Sequence, residues 1–281
     1  MKMLLFIIIL LSAKCFAQED EDLFKDIDIQ ETNQIVSSSF KGLKVVNLES
    51  TKIAAKGDLY FVVAHRFGSV KGGIEDFFGL DNAVTQIKFI KGVTNWMSLS
   101  AGRSELAYDL AAKYRFANQK ESGFPFEIVG FSSAAFNNTL KQSNFPKLVF
   151  KDRIIYVQQL LISRKFSDKL SLIVVPTFFH ENFVDNDFQK NNQYAIGLGG
   201  RYKLTKRLSL NLDYAAHLNR TKTSIYKNPL SVGVDIEVGG HVFQMHFTNS
   251  RGIHEAGYLA ATSGDWNKGN VNFGFNLARV F

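Results

Sequence analysis

The stretch Val271-Asn272-Phe273-Gly274-Phe275-Asn276-Leu277-Ala278-Arg279-Val280-Phe281 decides the fold. Counted back from the end, Phe281, Leu277, Phe275, Phe273 and Val271 share one parity, while Asn276, Gly274, Asn272 and Asn270 share the other. Strict alternation describes a strand with one apolar and one polar face. Here the apolar face is long and aromatic and the polar face is small and hydrated. A strand that crosses a bilayer in a barrel needs this arrangement, with lipid outside and a polar lumen inside, over roughly ten residues. The alternative is the last strand of a soluble sandwich.

The opposite end of the chain addresses the compartment. Lys2 supplies a positive region, Leu4 to Leu11 an apolar run, and Cys15-Phe16-Ala17 a cleavage site with Gln18 as the expected mature start. Residues 1–17 therefore read as a secretory signal peptide. The apolar run is too short to span a bilayer as a helix, and Lys14 is the wrong neighbour for Cys15 to be a lipidated cysteine. Cys15 is the single cysteine, so the mature chain is expected to hold no disulfide and no thiolate chemistry. Loss of the leader lowers the formal charge from +7 to about +5. The basic residues form no block, and nucleic acid is not an expected partner.

Residues 18–41 carry Glu19, Asp20, Glu21, Asp22, Asp26 and Asp28 and are expected to stay mobile on the periplasmic side. Residues 42–281 read as the barrel domain, with Leu43 to Leu48 as a short strand leading into it. From Leu59 a rhythm of alternating, aromatic-rich segments begins. They run Leu59–Phe67, Ala83–Lys91, Trp96–Arg103, Leu106–Phe116, Pro125–Phe136, Ile154–Phe166, Leu170–His180, Tyr194–Leu204, Leu208–Leu218, Leu230–Val238, His241–Thr248 and Gly269–Phe281. The fold class is all-β, a transmembrane up-and-down antiparallel barrel of about twelve strands. No run after the leader is long enough for a membrane helix, and a closed barrel is the other way to satisfy every backbone group in lipid.

Connections alternate in length. Long ones at Gly68–Leu80, Asn137–Lys151, Asn182–Asn192, Asn219–Pro229 and Asn249–Lys268 are expected to face outward and short ones at Gly92–Asn95, Ser167–Lys169, Thr205–Arg207 and Gly239-Gly240 the periplasm. Ser104-Glu105, short on the long side, and Ala117–Phe124, longish on the short side, break the rule. An even strand number returns both termini to the periplasmic side. Three of the short turns share one pattern, a polar turn followed by apolar–Ser–apolar, at Met97-Ser98-Leu99, Leu170-Ser171-Leu172 and Leu208-Ser209-Leu210. Pro176 within a strand predicts a bulge.

Parity assigns the faces. Asp109, Lys113, Arg115, Arg201, Lys203, Asp213, His217, Asp235 and Glu237 fall on the polar side of their strands and are the candidate lumen-facing residues. Acids and bases on one inner face predict either a plug of salt bridges or a narrow polar channel. The glycines of Gly197-Leu198-Gly199-Gly200 lie mid-strand, where they make room in a crowded lumen rather than cradle phosphate.

The segments His65-Arg66-Phe67-Gly68, Phe77-Phe78-Gly79-Leu80-Asp81-Asn82, Gly200-Arg201-Tyr202-Lys203-Leu204, Gly239-Gly240-His241-Val242-Phe243-Gln244, His246-Phe247-Thr248-Asn249-Ser250 and Gly264-Asp265-Trp266 carry a resemblance. Together they resemble an uncharacterised family of Gram-negative outer-membrane β-barrel proteins classed as a domain of unknown function. The resemblance covers roughly residues 40–281 and implies fold and location, with no catalytic residues. The final aromatic, with Phe273 and Phe275 before it, resembles the sorting signal such barrels show to their assembly machinery.

The reading that follows is an integral outer-membrane barrel, a passive channel for small solutes or a structural, loop-displaying barrel, in contact with outer-membrane lipid. An enzyme is the alternative: His246, Thr248 and Ser250 share a parity and offer a base and two hydroxyls for a barrel-embedded lipid hydrolase. The remaining histidines, His180, His217, His241 and His254, show no paired spacing of the zinc type, and no metal or cofactor is expected. The last long loop, His254 to Trp266, is the most site-like of the connections.

Overall fold

The computed structural model describes residues 34–184 and 188–281. The signal peptide and the acidic cluster fall outside the described residues. Twelve antiparallel strands form one closed barrel in sequence order. They are β1 (Leu59–Ser69), β2 (Ala83–Gly92), β3 (Met97–Ser104), β4 (Ala107–Ala117), β5 (Glu127–Asn137), β6 (Ile154–Lys165), β7 (Leu170–Glu181), β8 (Asn192–Lys203), β9 (Leu208–His217), β10 (Leu230–Val238), β11 (His241–Thr248) and β12 (Asn272–Val280). The wall closes where β12 pairs with β1, and Leu59 and Phe281 exchange backbone hydrogen bonds of 3.2 and 2.9 Å at the seam. Long and short connections alternate around the ring with two exceptions, β3–β4 a tight turn at the long-loop end and β4–β5 a longer connection at the short-turn end.

Alternation sorts the side chains. On β4, Leu110 is 65% exposed while its neighbour Asp109 is 2% exposed; on β9 the same contrast separates Leu212 from Asn211. Outward apolar and inward polar is the reverse of a soluble barrel, and it fits a wall solvated by lipid. On the outer face near the seam, Phe67 stacks on Phe273 and His65 on Phe275, at 5.8 and 4.8 Å between centroids. Pro176 makes no bulge. The β6–β7 register is the same before and after it, and only the pairs around Leu160 and Pro176 are missing from the ladder. Proline has no N–H to give, so the ladder is interrupted there without a shift of register.

The interior differs from an open pore. Residues 40–56 do not lead into the wall as a strand; they fold as a hairpin inside it. Val45 N–H donates to Leu48 C=O and Ser50 N–H to Leu43 C=O, at 2.8 and 3.1 Å, which puts Val46 and Asn47 at the tip. The segment enters at the short-turn end, where Ile35 bridges Lys120, and leaves there, where Gly57 N–H meets Gly92 C=O. From the long-loop end the β11–β12 connection sends in a short helix, α1 (Glu255–Ala260), with Ala256, Tyr258, Leu259 and Ala260 buried. Phe40, Val45 and Leu48 share one buried cluster with inward residues of β5 to β9, including Phe131, Leu161, Val175 and Phe179, and with Tyr258 and Leu259 of α1. Each such side chain contributes about 1.5–3 kcal/mol by burial. Gly197 supplies the space: a Cβ there would lie 2.6 Å from Leu48.

Candidate functional site

The lumen is where the polar wall meets the hairpin, and its geometry starts from the tip. Three successive backbone N–H groups, of Val46, Asn47 and Leu48, donate to one carboxylate oxygen, Asp213 Oδ2 on β9, at 3.1, 2.7 and 2.9 Å. Consecutive amides turned toward one anion form a nest, and bonds to a charged acceptor are the strong ones. The Asn47 side chain donates to Ser231 Oγ and Thr248 Oγ1 and accepts from Arg66, whose guanidinium also reaches Asn276. Gln244 donates to the carbonyls of Lys44 and Val45. The hairpin backbone thus finds in wall side chains the partners that a strand finds in its neighbours.

Ion pairs hold the flanks. Lys44 lies 2.9 Å from both Glu49, on the hairpin, and Glu255, on α1. Glu49 also pairs with Lys113 of β4 at 2.7 Å, and that ammonium donates to the carbonyls of Leu43 and Ser50. Burial works against the charge on Lys44, yet Glu255 and Glu49 together hold its ammonium above the ordinary lysine value. Burial also penalises Glu49, but Lys113 and Lys44 hold its carboxyl well below the usual carboxylate range. Lys44 therefore ties the hairpin to the loop helix from the opposite end of the barrel.

The lumen-facing candidates fall into two groups. Asp213 and Lys113 bind the hairpin directly. Asp109 pairs with Lys88 at 2.7 Å and accepts from Gln86; Arg115 pairs with Glu127 at 3.1 Å; Arg201 pairs with Glu237 at 2.7 Å; and Asp235 accepts from Gln244. His217 meets Gln193 at 2.9 Å near the long-loop end, and Lys203 is half-buried at the other. Reading by parity missed Lys44, Glu49, Asn47 and Glu255, because they lie outside the strands. It also missed that the inner faces of β5 to β7 are largely apolar. Ile155, Val157 and Leu161 face inward while Leu160 faces out, and apolar residues on both parities are the mark of a strand buried on both faces.

His246, Thr248 and Ser250 lie on the inner side, all buried. Neither ring nitrogen of His246 has a hydrogen-bond partner, while Thr248 Oγ1 accepts from Asn47 and Ser231, and Ser250 Oγ accepts from the Gly252 N–H. The three are not joined into a base–nucleophile relay, and Met245 and Phe247 are exposed on the opposite, outer face. Of the other histidines, His180 is held between Asn192 and Asn182 and His241 contacts Gly239 C=O. Phe273 and Phe275 are half-buried on the outer wall and Phe281 is 64% exposed, with the Arg279 guanidinium 4.6 Å from its ring centre.

The empty space is divided. A recess of about 500 Å³ opens at the long-loop end and one of about 400 Å³ at the short-turn end. Beside the hairpin lie cavities of only about 40 and 20 Å³, each with room for about one to a few waters.

Solved structures of similar fold are outer-membrane barrels. The KdgM porin in complex with disordered oligogalacturonate is 10% identical, with a TM-score of 0.50 over 80% of this chain and 99% of that one. The NanC porin is 9% identical (TM-score 0.49; 79% and 98%), and an outer-membrane channel from Pseudomonas putida F1 is 12% identical (TM-score 0.49; 82% and 97%). At these identities the likeness is one of fold. No curated protein matches the chain by sequence at a significant level. The profile of one family covers residues 40–281, the wall and the hairpin together: the chain belongs to the membrane bound beta barrel domain family (DUF5777) and is a membrane-bound β-barrel.

Proposed function

We infer that this protein is a porin-like barrel closed at rest, whose luminal hairpin must shift before small solutes pass. The observation that carries the reading is the binding of Val46, Asn47 and Leu48 by Asp213, which fixes the hairpin tip across the path. A chain that needed an open pore would not fill its lumen with its own backbone. One that served only as a scaffold would need no polar, ion-paired seat for the filling, since apolar packing alone is as stabilising as a buried ion pair.

Planar-bilayer recording tests this. The intact protein is expected to be silent or to open rarely, and a variant lacking residues 40–54 to conduct. Because that deletion could impair assembly, Glu255→Gln with Lys44→Met provides a second route: it cuts the tie between hairpin and α1 and leaves the wall unchanged. Silence in both, with normal heat-modifiable migration, rejects the channel reading and leaves a structural barrel. Phe281 belongs to the same proposal at an earlier stage, as the residue the assembly machinery reads before the barrel closes.

A further inference from the structure

We propose that the recess at the external end of the barrel is a binding site for a neutral, polyhydroxylated solute, a short saccharide. Its floor is the loop helix α1 and its walls come from the connections of five hairpins. At about 500 Å³ it falls within the range of small-molecule sites, roughly 300–1,000 Å³. The site goes beyond the closed-barrel reading, and only the inward passage of its ligand would rest on that reading.

The class of ligand follows from the lining. His254 is 8% exposed, yet its buried Nδ1 has no hydrogen-bond partner, and its ring packs over Gly257 at the recess floor. A buried imidazole nitrogen without a partner is a cost that a bound molecule can remove. Burial lowers the His254 pKa against the pull of Glu255, so the ring is neutral near pH 7, with one donor and one acceptor. A hydroxyl answers either.

Other lining groups repeat the theme. The side-chain nitrogens of Asn82 and Asn137 and the hydroxyl of Ser263 have no partner among the described residues, whereas both side-chain oxygens of those asparagines are already used. Glu105 stands exposed as a free acceptor. Arg251, the one permanent cation of the lining among the described residues, already donates to Asn82, and two carboxylates, of Glu105 and Glu181, outnumber it. Such a lining gives an anion no reason to enter. Unspent donors, spare acceptors and apolar patches from Val84, Ile155 and Ala260 suit a ring with hydroxyls at its edge and C–H groups on its face.

The test uses the full-length protein in detergent micelles and saturation-transfer NMR with maltose, lactose, sucrose and raffinose. Digalacturonic acid and spermidine serve as the charged comparators. At least one neutral sugar is expected to show transfer, with an affinity at least tenfold weaker in Ala261→Trp, which fills the recess from an exposed position, and in His254→Phe. Because His254→Phe could disturb α1, the tryptophan variant is the decisive one. Transfer to no neutral sugar, transfer only to a charged comparator, or neutral-sugar binding unchanged in Ala261→Trp would each overturn the proposal. The readout is binding in solution, so it stands or falls separately from conductance.

Discussion

Replacing Asp213 by Asn should loosen the hairpin without opening the wall. The carboxylate oxygen accepts three backbone N–H groups at 2.7–3.1 Å. A hydrogen bond to a charged group is worth about 1.5–3 kcal/mol net, so the set is worth up to roughly 5–9 kcal/mol, less for non-additivity among neighbours. Asparagine keeps one carbonyl oxygen but removes the charge, and its amide nitrogen faces donors if it turns. We expect a loss of about 3–5 kcal/mol, or a shift of roughly 10²–10³·⁵ in the ratio of seated to unseated hairpin. Asp213→Leu removes every acceptor and leaves three buried N–H groups, each costing about 1–3 kcal/mol, so it should go further. Hydrogen exchange at Val46, Asn47 and Leu48 reads the seating directly, and single-channel recording reads its consequence. Faster exchange at these amides, with the strand amides still protected, is the expected result. Unchanged exchange in both variants would refute the reasoning, because the nest would then contribute nothing to holding the tip.

Three further outcomes are expected. Glu49 is held below the usual carboxylate range, so its stabilisation is fully present above the unfolded pKa near 4.5 and is lost as pH falls through its lower folded pKa; open events should therefore rise on acidification below about pH 4. Pro176→Ala restores the N–H missing from the β6–β7 ladder, and in lipid that bond should outweigh the roughly 0.4–1 kcal/mol of chain entropy gained on unfolding, raising the urea midpoint of the purified barrel. Deleting Phe281 removes its ring and two bonds to Leu59, about 2–4 kcal/mol, too little to unfold the barrel. If its role is in assembly, the deletion should still leave protein in the periplasm, whereas Phe273→Ala should lower stability alone; equal, mild effects would make Phe281 only a packing residue.

The wall was legible in the sequence because an apolar outer face and a polar inner face impose a period of two on most strands, β5 to β7 excepted. The observed ends differ from those read in Leu59–Phe67 or Gly269–Phe281 by only a few residues, since turn residues interrupt the alternation sharply. The hairpin was not legible. Residues 40–56 carry Leu43, Val45, Val46 and Leu48 with Lys44 and Asn47 between them and Glu49 after, a pattern that fits a short strand equally well. What decides its place is the fit to distant residues such as Asp213 and Gly197, and pattern within one segment carries no trace of that. One local signal did exist. Ile173 and Val175 face inward while Leu172 and Val174 are exposed on the outer face, and an inner face that apolar has no reason to line water.

The charges of the lumen take on a different meaning once the hairpin is in place. A polar wall with acids and bases facing each other would, in an empty barrel, set the selectivity of a channel. Here Arg66, Lys113 and Asp213 spend their hydrogen bonds on the hairpin backbone and its side chains. Lys44 adds a link along the barrel, since it shares its ammonium between the hairpin's own Glu49 and Glu255 of the β11–β12 connection. Withdrawal of α1 leaves Lys44 with one carboxylate where it had two, in a site that penalises unpaired charge. Movement of the hairpin leaves Glu255 buried without its partner. Each element thus raises the cost of moving the other, and the two closures at opposite ends of the barrel favour opening together over opening one at a time. A double-mutant cycle with Lys44→Met and Glu255→Gln, read by exchange at Asn47, measures that coupling, and additive effects would show that the two ends close independently.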